Sequence, residues 1–312
     1  MDFELDSDQA AVMEAVERLL EEHAGAARAI ALQDEGGYDF ALHDALGDSG
    51  FLDVGGEAGM GLLEAALVTE AVARAGGVVS AGGCALVAAP TPGLDTDAPI
   101  AIADAATLTS PIRFLGNAQT LLVVAPDSVR VIDMREGDVE PIPSNFGYPM
   151  GRLRGAPEAG GALDGSVAGR VQALWRLALA AEAVGTMDAA LRETVEYLKQ
   201  RRQFGRAIGS FQAVQHRLAE CAIHIEASRW LVREAAHHGA QGEAVAAAAG
   251  FAISSADRIF AETHQLSGAI GFTREHDLHV WSMRLQALRL ELGGVRGHRR
   301  ALASARWGAA LA

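Results

Sequence analysis

The chain has 312 residues, half of them hydrophobic, with a formal net charge of −14 and two cysteines. That length and apolar content support a large core spread over two or three compact units. The negative charge, with dispersed arginines, argues against a nucleic-acid partner, because phosphate binding needs a concentrated basic surface. Cys84 and Cys221 lie far apart with no C-x-x-C pair, so they read as two ordinary buried thiols in a reducing compartment.

The acidic, amphipathic start is unlike a signal sequence, and no segment has about 18 uninterrupted apolar residues; the expectation is a soluble cytoplasmic protein with no membrane contact. Residues 7 to 32 carry a capping signal at Ser7 and Asp8. Val12, Val16, Leu19 and Leu20 follow at helical spacing, so one amphipathic helix is expected there. After Gly36-Gly37, Phe40–Leu46 reads as a short helix and Leu62–Ala75 as a longer one. Between them Gly56, Gly59 and Gly61 lack the preceding strand and the G-x-G-x-x-G spacing of a phosphate cradle, and are read as a loop.

Pro90, Pro92 and Pro99 with nearby acids mark a boundary. Thr120–Ala125 and Ser128–Met134 flank Pro126-Asp127 and read as a hairpin, within a small β domain over residues 98 to 167. From Val171 onward the pattern is helical. Leu174, Leu177, Ala181, Val184, Met187, Leu191, Val195 and Leu198 form one stripe, and Phe211, Val214, Leu218, Ala222, Ile225 and Val232 a second. Val245, Ala248, Ala252, Ser255, Ile259 and Leu266 form a third. Leu278, Trp281, Leu285, Leu288, Leu292 and Val295 form a fourth, giving an antiparallel four-helix bundle.

The first two bundle helices meet at Tyr197–Glu220, YLKQRRQFGRAIGSFQAVQHRLAE, through a short basic turn. Guanidinium groups beside an aromatic ring suit a diphosphate attached to a flat ring system, although a helical hairpin with solvated arginines gives the same spacing. His276 and His279 stand at i,i+3 with no third ligand in a defined geometry, so no metal site is expected.

The string RRQFGRAIGSFQAVQHRLAE resembles the signature of the acyl-CoA dehydrogenase family, with its R-x-x-F-G turn and F-Q-x-x-Q-x-x-L-A helix. The resemblance implies a mainly α fold with a small β domain: an N-terminal helical domain (1–97), a truncated middle β domain (98–167) and a C-terminal four-helix bundle (168–312). It also implies an FAD cofactor and an acyl-CoA substrate. On that pattern Arg201 falls where the family contacts the FAD diphosphate, Gln203 and Phe204 lie in the turn that packs on the cofactor, and Gln212 lies in the F-Q step. Gln265 with Gly268–Phe272 resembles Q-x-x-G-G-x-G-[FY], Ala269 replacing its second glycine. In the family these segments face a neighbouring subunit's FAD.

The catalytic half does not match. The family's base falls on Leu292, read as a core leucine in a helix that continues, and its cofactor-binding threonine falls on Gly294. A second known base position falls on Trp175. Glu291 is one residue away, but a helical step of about 100° turns it off the apolar face, which leaves it a weak candidate. Glu182, Asp188, Glu193 and Glu196 read as solvated acids or interhelical pairs. The L-T-E-x-x-x-G-S-D strand and W-[IS]-[ST] segment that hold the flavin ring are missing from DAPIAIADAATLTSPIRF.

These gaps make the chain similar to the smaller, base-lacking subunit of heteromeric actinobacterial acyl-CoA dehydrogenases of sterol side-chain breakdown. The implied assembly is α2β2 with a paralogous partner, sharing its FAD and acting on a steroid-derived acyl-CoA. A self-sufficient dehydrogenase using Glu291 and a non-enzymatic scaffold are the two alternatives.

Overall fold

The computed structural model describes residues 5–57, 60–94, 98–156 and 160–308. Gly59 of the expected glycine loop and residue 97, at the first domain boundary, lie outside the described residues.

Helices α1 (Ser7–His23), α2 (Ala26–Glu35), α3 (Phe40–Asp48) and α4 (Leu62–Arg74) make up the N-terminal third. The single helix expected over 7 to 32 is two. Gly25 has a φ of 131° that breaks the first from the second. The cap is Asp6 rather than Ser7: its carboxylate accepts the backbone N–H groups of Asp8 and Gln9, and the Gln9 side chain returns to the Asp6 N–H, a reciprocal capping box.

Seven short strands follow: β1 (Ile100–Asp104), β2 (Ile112–Arg113), β3 (Thr120–Val124), β4 (Val129–Asp133), β5 (Val139–Ile142), β6 (Met150–Leu153) and β7 (Gly161–Leu163). They form a sheet ordered β1-β3-β4-β7, with β1 and β3 parallel, and a second sheet β2-β6-β5. The β3–β4 hairpin pairs as the Pro126-Asp127 turn predicts. Along β3 the side chains alternate. Leu122 and Val124 join the large core shared with the bundle, and Leu121 and Val123 join a smaller core with Ile112, Leu115 and Ile132.

The bundle comprises α5 (Ala168–Gln200), α6 (Gln212–His237), α7 (Gly242–Ser267) and α8 (Leu278–Leu288), with α9 (Gly294–Trp307) packed on α7. Strands β8 (Arg202–Gln203) and β9 (Arg206–Ala207) form a small hairpin between α5 and α6. On α6 the stripe runs through Cys221, which is fully buried, whereas Ala222 is exposed.

The fourth stripe does not belong to one continuing helix. The chain breaks after α8: Leu292 adopts φ 50° and ψ 37°, and Gly293 and Gly294 also have positive φ. At Gly294 a Cβ would come within 2.7 Å of the Arg289 carbonyl, so glycine is needed both for its backbone angle and for the close approach. Leu292 is buried as expected, but in a left-handed turn.

Helix α4 crosses α5 closely enough that a Cβ on Gly185 would sit 2.0 Å from the Glu70 carbonyl. A buried ion pair, Arg229 Nε to Glu70 Oε1 at 2.8 Å, ties α6 to the same helix. Gly242–Phe272 is long and apolar enough to cross a membrane, yet 56% of its most apolar window is buried inside the protein, as suits a core helix.

Candidate functional site

Two places hold the residues of interest. The first is the end of the bundle where α5 and α7 finish and α6 and α8 begin. Arg202 and Gln203 pair with Ala207 and Arg206, leaving Phe204 (φ 53°) and Gly205 (φ 80°) as the two central residues of the turn. Two consecutive positive φ angles make a type I′ turn, whose twist matches the flanking strands. An aromatic residue in that conformation is strained, and Phe204 is 87% exposed, so burial returns nothing for the strain. Its ring meets Phe211 edge-on at 6.2 Å, and the Arg206 guanidinium lies 3.8 Å over Phe211.

Arg201, Gln203, Gln212, Gln265, Gly268 and Ala269 are all exposed. Among the described residues, neither the Arg201 nor the Arg202 side chain has an acidic partner. This holds in a chain with 40 carboxylates against 26 lysines and arginines. The ring of Tyr197, one turn before Arg201, packs 5.2 Å from that of His276, four residues beyond Phe272, and so brings the two signature segments to one surface. Beneath it the Ser267 hydroxyl and both ring nitrogens of His264 are buried without a hydrogen-bond partner. His264 lies between Phe260 and Phe272, at 4.3 and 4.9 Å, and burial lowers its pKa. Unpaired cations, an exposed ring and glycine backbone together fit an anionic diphosphate carrying flat rings.

The second place is the seam between the β domain and the bundle. Glu291 does not turn away from it. The break after α8 reorients the chain, and Glu291 is only 17% exposed, facing inward. Its Oε1 accepts from Arg113 Nε at 2.5 Å and its Oε2 from Trp175 Nε1 at 2.9 Å. Arg113 Nη1 donates to Glu182 Oε1 at 2.7 Å, and the Tyr148 hydroxyl donates to the same oxygen at 3.2 Å. The Arg113 guanidinium also lies over the Phe114 and Tyr148 rings. Glu182 is therefore neither solvated nor an interhelical pair; it is 12% exposed and reaches the β domain. Asp188 does make an interhelical contact, 3.7 Å from Arg229.

Burial raises the Glu291 pKa, and the charge of Glu182 adds to this, against the pull of Arg113 and the Trp175 bond. Burial would lower Arg113, but the two carboxylates outweigh it and hold its pKa well above the ordinary value. Burial pushes the Tyr148 phenol up, with Glu182 adding to the effect.

Two cavities meet at this cluster. The inner one holds about 30 Å³ and is lined by Ser80, Gly82, Gly83, Ala178 and Leu179 among others. The outer one holds about 420 Å³, between Asp104, Thr107 and Ser110 on one side and Leu290 and Leu292 on the other. Ile102, Arg113, Trp175 and Glu291 line both.

Arg113, Tyr148 and the role of Glu182 escaped the reading of the sequence. The available signals were an arginine between Ile112 and Phe114 in a strand and one acid in the apolar run ALAAEAVG. No group of three potential metal ligands converges among the described residues.

The family model of the acyl-CoA dehydrogenase C-terminal domain matches residues 167–305. Acyl-CoA dehydrogenase IpdE2 of Mycobacterium tuberculosis is 46% identical over 90 residues, 28% of this chain and 27% of that protein. FadE34 of the same organism is 32% identical over 195 residues, 58% of this chain and 27% of that protein. The chain thus spans little more than a quarter of the length of these curated relatives.

Among solved structures, the ChsE4-ChsE5 complex of Mycobacterium tuberculosis matches at a TM-score of 0.81 and 22% identity, covering 97% of this chain and 98% of that one. A variant of the Tcur3481-Tcur3483 steroid acyl-CoA dehydrogenase matches at 0.80 and 24%, covering 96% and 97%. Likeness at such identity speaks to fold: helical N-terminal region, small sheet region and C-terminal helices. Residues 167–305 thus resemble the C-terminal domain of acyl-CoA dehydrogenases, and the solved structures share the fold of nearly the whole chain.

Proposed function

We propose that this chain is a soluble, cytoplasmic subunit of a heteromeric FAD-dependent acyl-CoA dehydrogenase, assembled as α2β2 with a paralogous partner. The observation that carries the reading is the state of the catalytic seam. Leu292 and Trp175 stand where the resemblance puts a base, and the neighbouring carboxylate, Glu291, has both oxygens engaged by Arg113 and Trp175. A general base must reach the substrate's proton, and a carboxylate oriented by two donors, one of them a cation, is held to those partners.

The bundle end supports the other half of the reading. Arg201 and Arg202 bind the diphosphate of the partner's cofactor, Phe204 packs on its rings, and Gln265 with the backbone at Gly268 and Ala269 meets its adenine end. Gln203 and Gln212 hold the turn and the α6 start against it. Bound there, FAD would supply the hydride acceptor, and a carboxylate of the partner would supply the base that this chain's seam lacks. In its own seam the Glu291 carboxylate is held by Arg113 and Trp175 rather than standing free. Two of the solved structures it resembles are of paired proteins, one described as a steroid acyl-CoA dehydrogenase, which makes a steroid-derived acyl-CoA the leading substrate.

The test is flavin absorbance and mass of the chain expressed alone and with its paralogue. A colourless chain that gives a yellow complex with fewer FAD than subunits supports the proposal. A lone yellow chain, stoichiometric in FAD, overturns it. One observation favours a second reading, a self-sufficient enzyme: Glu291 lines the 420 Å³ cavity and its pKa is raised, as a base requires. That reading predicts dehydrogenation by the chain alone, abolished in Glu291→Gln.

A further inference from the structure

The two cavities at the seam share four lining residues, Ile102, Arg113, Trp175 and Glu291. Of these, Ile102 and Trp175 are apolar walls. Arg113 and Glu291 are charged, and they meet across the seam, one on β2 and the other in the break between α8 and α9. The inner space is about that of one water molecule, yet its lining is largely that of a pocket for hydrocarbon: Gly82, Gly83, Ile100, Phe114, Ala178 and Leu179. A small cavity with an apolar lining that ends on a guanidinium is an unusual arrangement, because burying an ion is costly unless every charge is matched. Here two carboxylates share one cation, and neutral donors supply the rest of their hydrogen bonds. Arg113 takes Glu291 through Nε and Glu182 through Nη1, Trp175 and Tyr148 supply further donors to the two carboxylates, and the guanidinium lies 5.1 and 4.7 Å from the Phe114 and Tyr148 ring centres, on the flank of that edge-to-face pair.

We infer that Arg113, clamped by Glu182 and Glu291, is a built-in plug that closes this chain's own acyl cleft, and that removing its side chain joins the two cavities into one channel for the hydrocarbon tail of an acyl thioester. The choice of thioester rests on the proposed subunit role; the plug itself rests on the geometry of this chain. The consequence is a count. Each copy of this subunit contributes no acyl site, and the complex binds as many acyl-CoA molecules as it has partner subunits.

The experiment counts butyryl-CoA bound per complex by isothermal titration, for the wild type and Arg113→Gly. Wild type is expected to show only the partner's sites. Arg113→Gly is expected to show one additional site per copy of this chain, closed again by millimolar methylguanidinium, which restores the missing cation between the two carboxylates. If Arg113→Gly does not fold, the triple variant Arg113→Ala, Glu182→Gln, Glu291→Gln opens the same space without leaving a buried charge unpaired. A butyryl-CoA site on the wild-type chain itself overturns the inference, and so does a folded variant with no added site. Failure of the subunit reading shows differently, as a lone chain that carries stoichiometric FAD and dehydrogenates.

Discussion

Trp175 donates its indole N–H to Oε2 of Glu291 at 2.9 Å, linking the first bundle helix to the break that follows α8. The two residues are 116 positions apart in the chain, and each stands at or beside a position that the family pattern gives to a base. The bond makes them structural partners. Trp175→Phe removes a donor from a buried carboxylate and should lower stability by about 1–3 kcal/mol, measured by urea unfolding, while the turnover of the assembled complex stays within about two-fold of wild type.

Arg113→Met leaves Glu182 and Glu291 buried without their cation. Breaking a buried pair on one side costs about 3–5 kcal/mol. Burial already raises the Glu291 pKa and Arg113 opposes it, so without the arginine the folded value rises further; the stability Glu291 contributes is present below its unfolded pKa and is lost as pH rises through the folded one. The loss relative to wild type should therefore be larger at pH 8 than at pH 5. An equal loss at both would mean that solvent reaches the cluster.

His298, on α9, is fully buried, and burial, with Arg176 nearby, pushes its pKa down to about 4. The neutral ring is the folded form. Its contribution is fully present above the ordinary histidine value and falls as pH drops from about 6.5 through 4, by about 3 kcal/mol in all. His298→Leu, of similar bulk, should flatten the thermal melting profile over that range without changing it at pH 8.

Phe204 is strained and exposed, so Phe204→Gly should raise the stability of the chain by about 0.5–1 kcal/mol by relieving the left-handed backbone. The same variant, and Arg201→Ala, should reduce FAD retained by the complex by about ten-fold or more in dilution, read by flavin fluorescence. Unchanged retention in both would remove the bundle end from the cofactor's surroundings.

Helical periodicity carried most of the fold, because α5, α6 and α7 each bury one stripe at steps of three and four, and the basic turn after Gln200 announced both its glycine and its exposed ring. Two kinds of feature were not legible. Backbone breaks such as Gly25 and the turn at Leu292 interrupt runs whose apolar spacing continues across them, so the period persists where the helix does not. Long-range pairing was also invisible. Arg113 meets acids 69 and 178 positions away, one on α5 and one in the break after α8, and only the folded chain brings the three together. One residue of offset hid Glu291 for the same reason: a helical wheel assigns its direction wrongly once the helix has ended.

Strand β3 has apolar side chains on both faces, Leu121 and Val123 toward the second sheet, Leu122 and Val124 toward the bundle. A strand buried on both sides has no polar face to hold its register before its neighbours arrive. The β segment therefore depends on α5 to complete it, and α5 begins only after β7. During synthesis the strands must wait, with one apolar face uncovered, until residues beyond about 168 emerge, so a chain cut at the end of the β domain should aggregate where the full one folds.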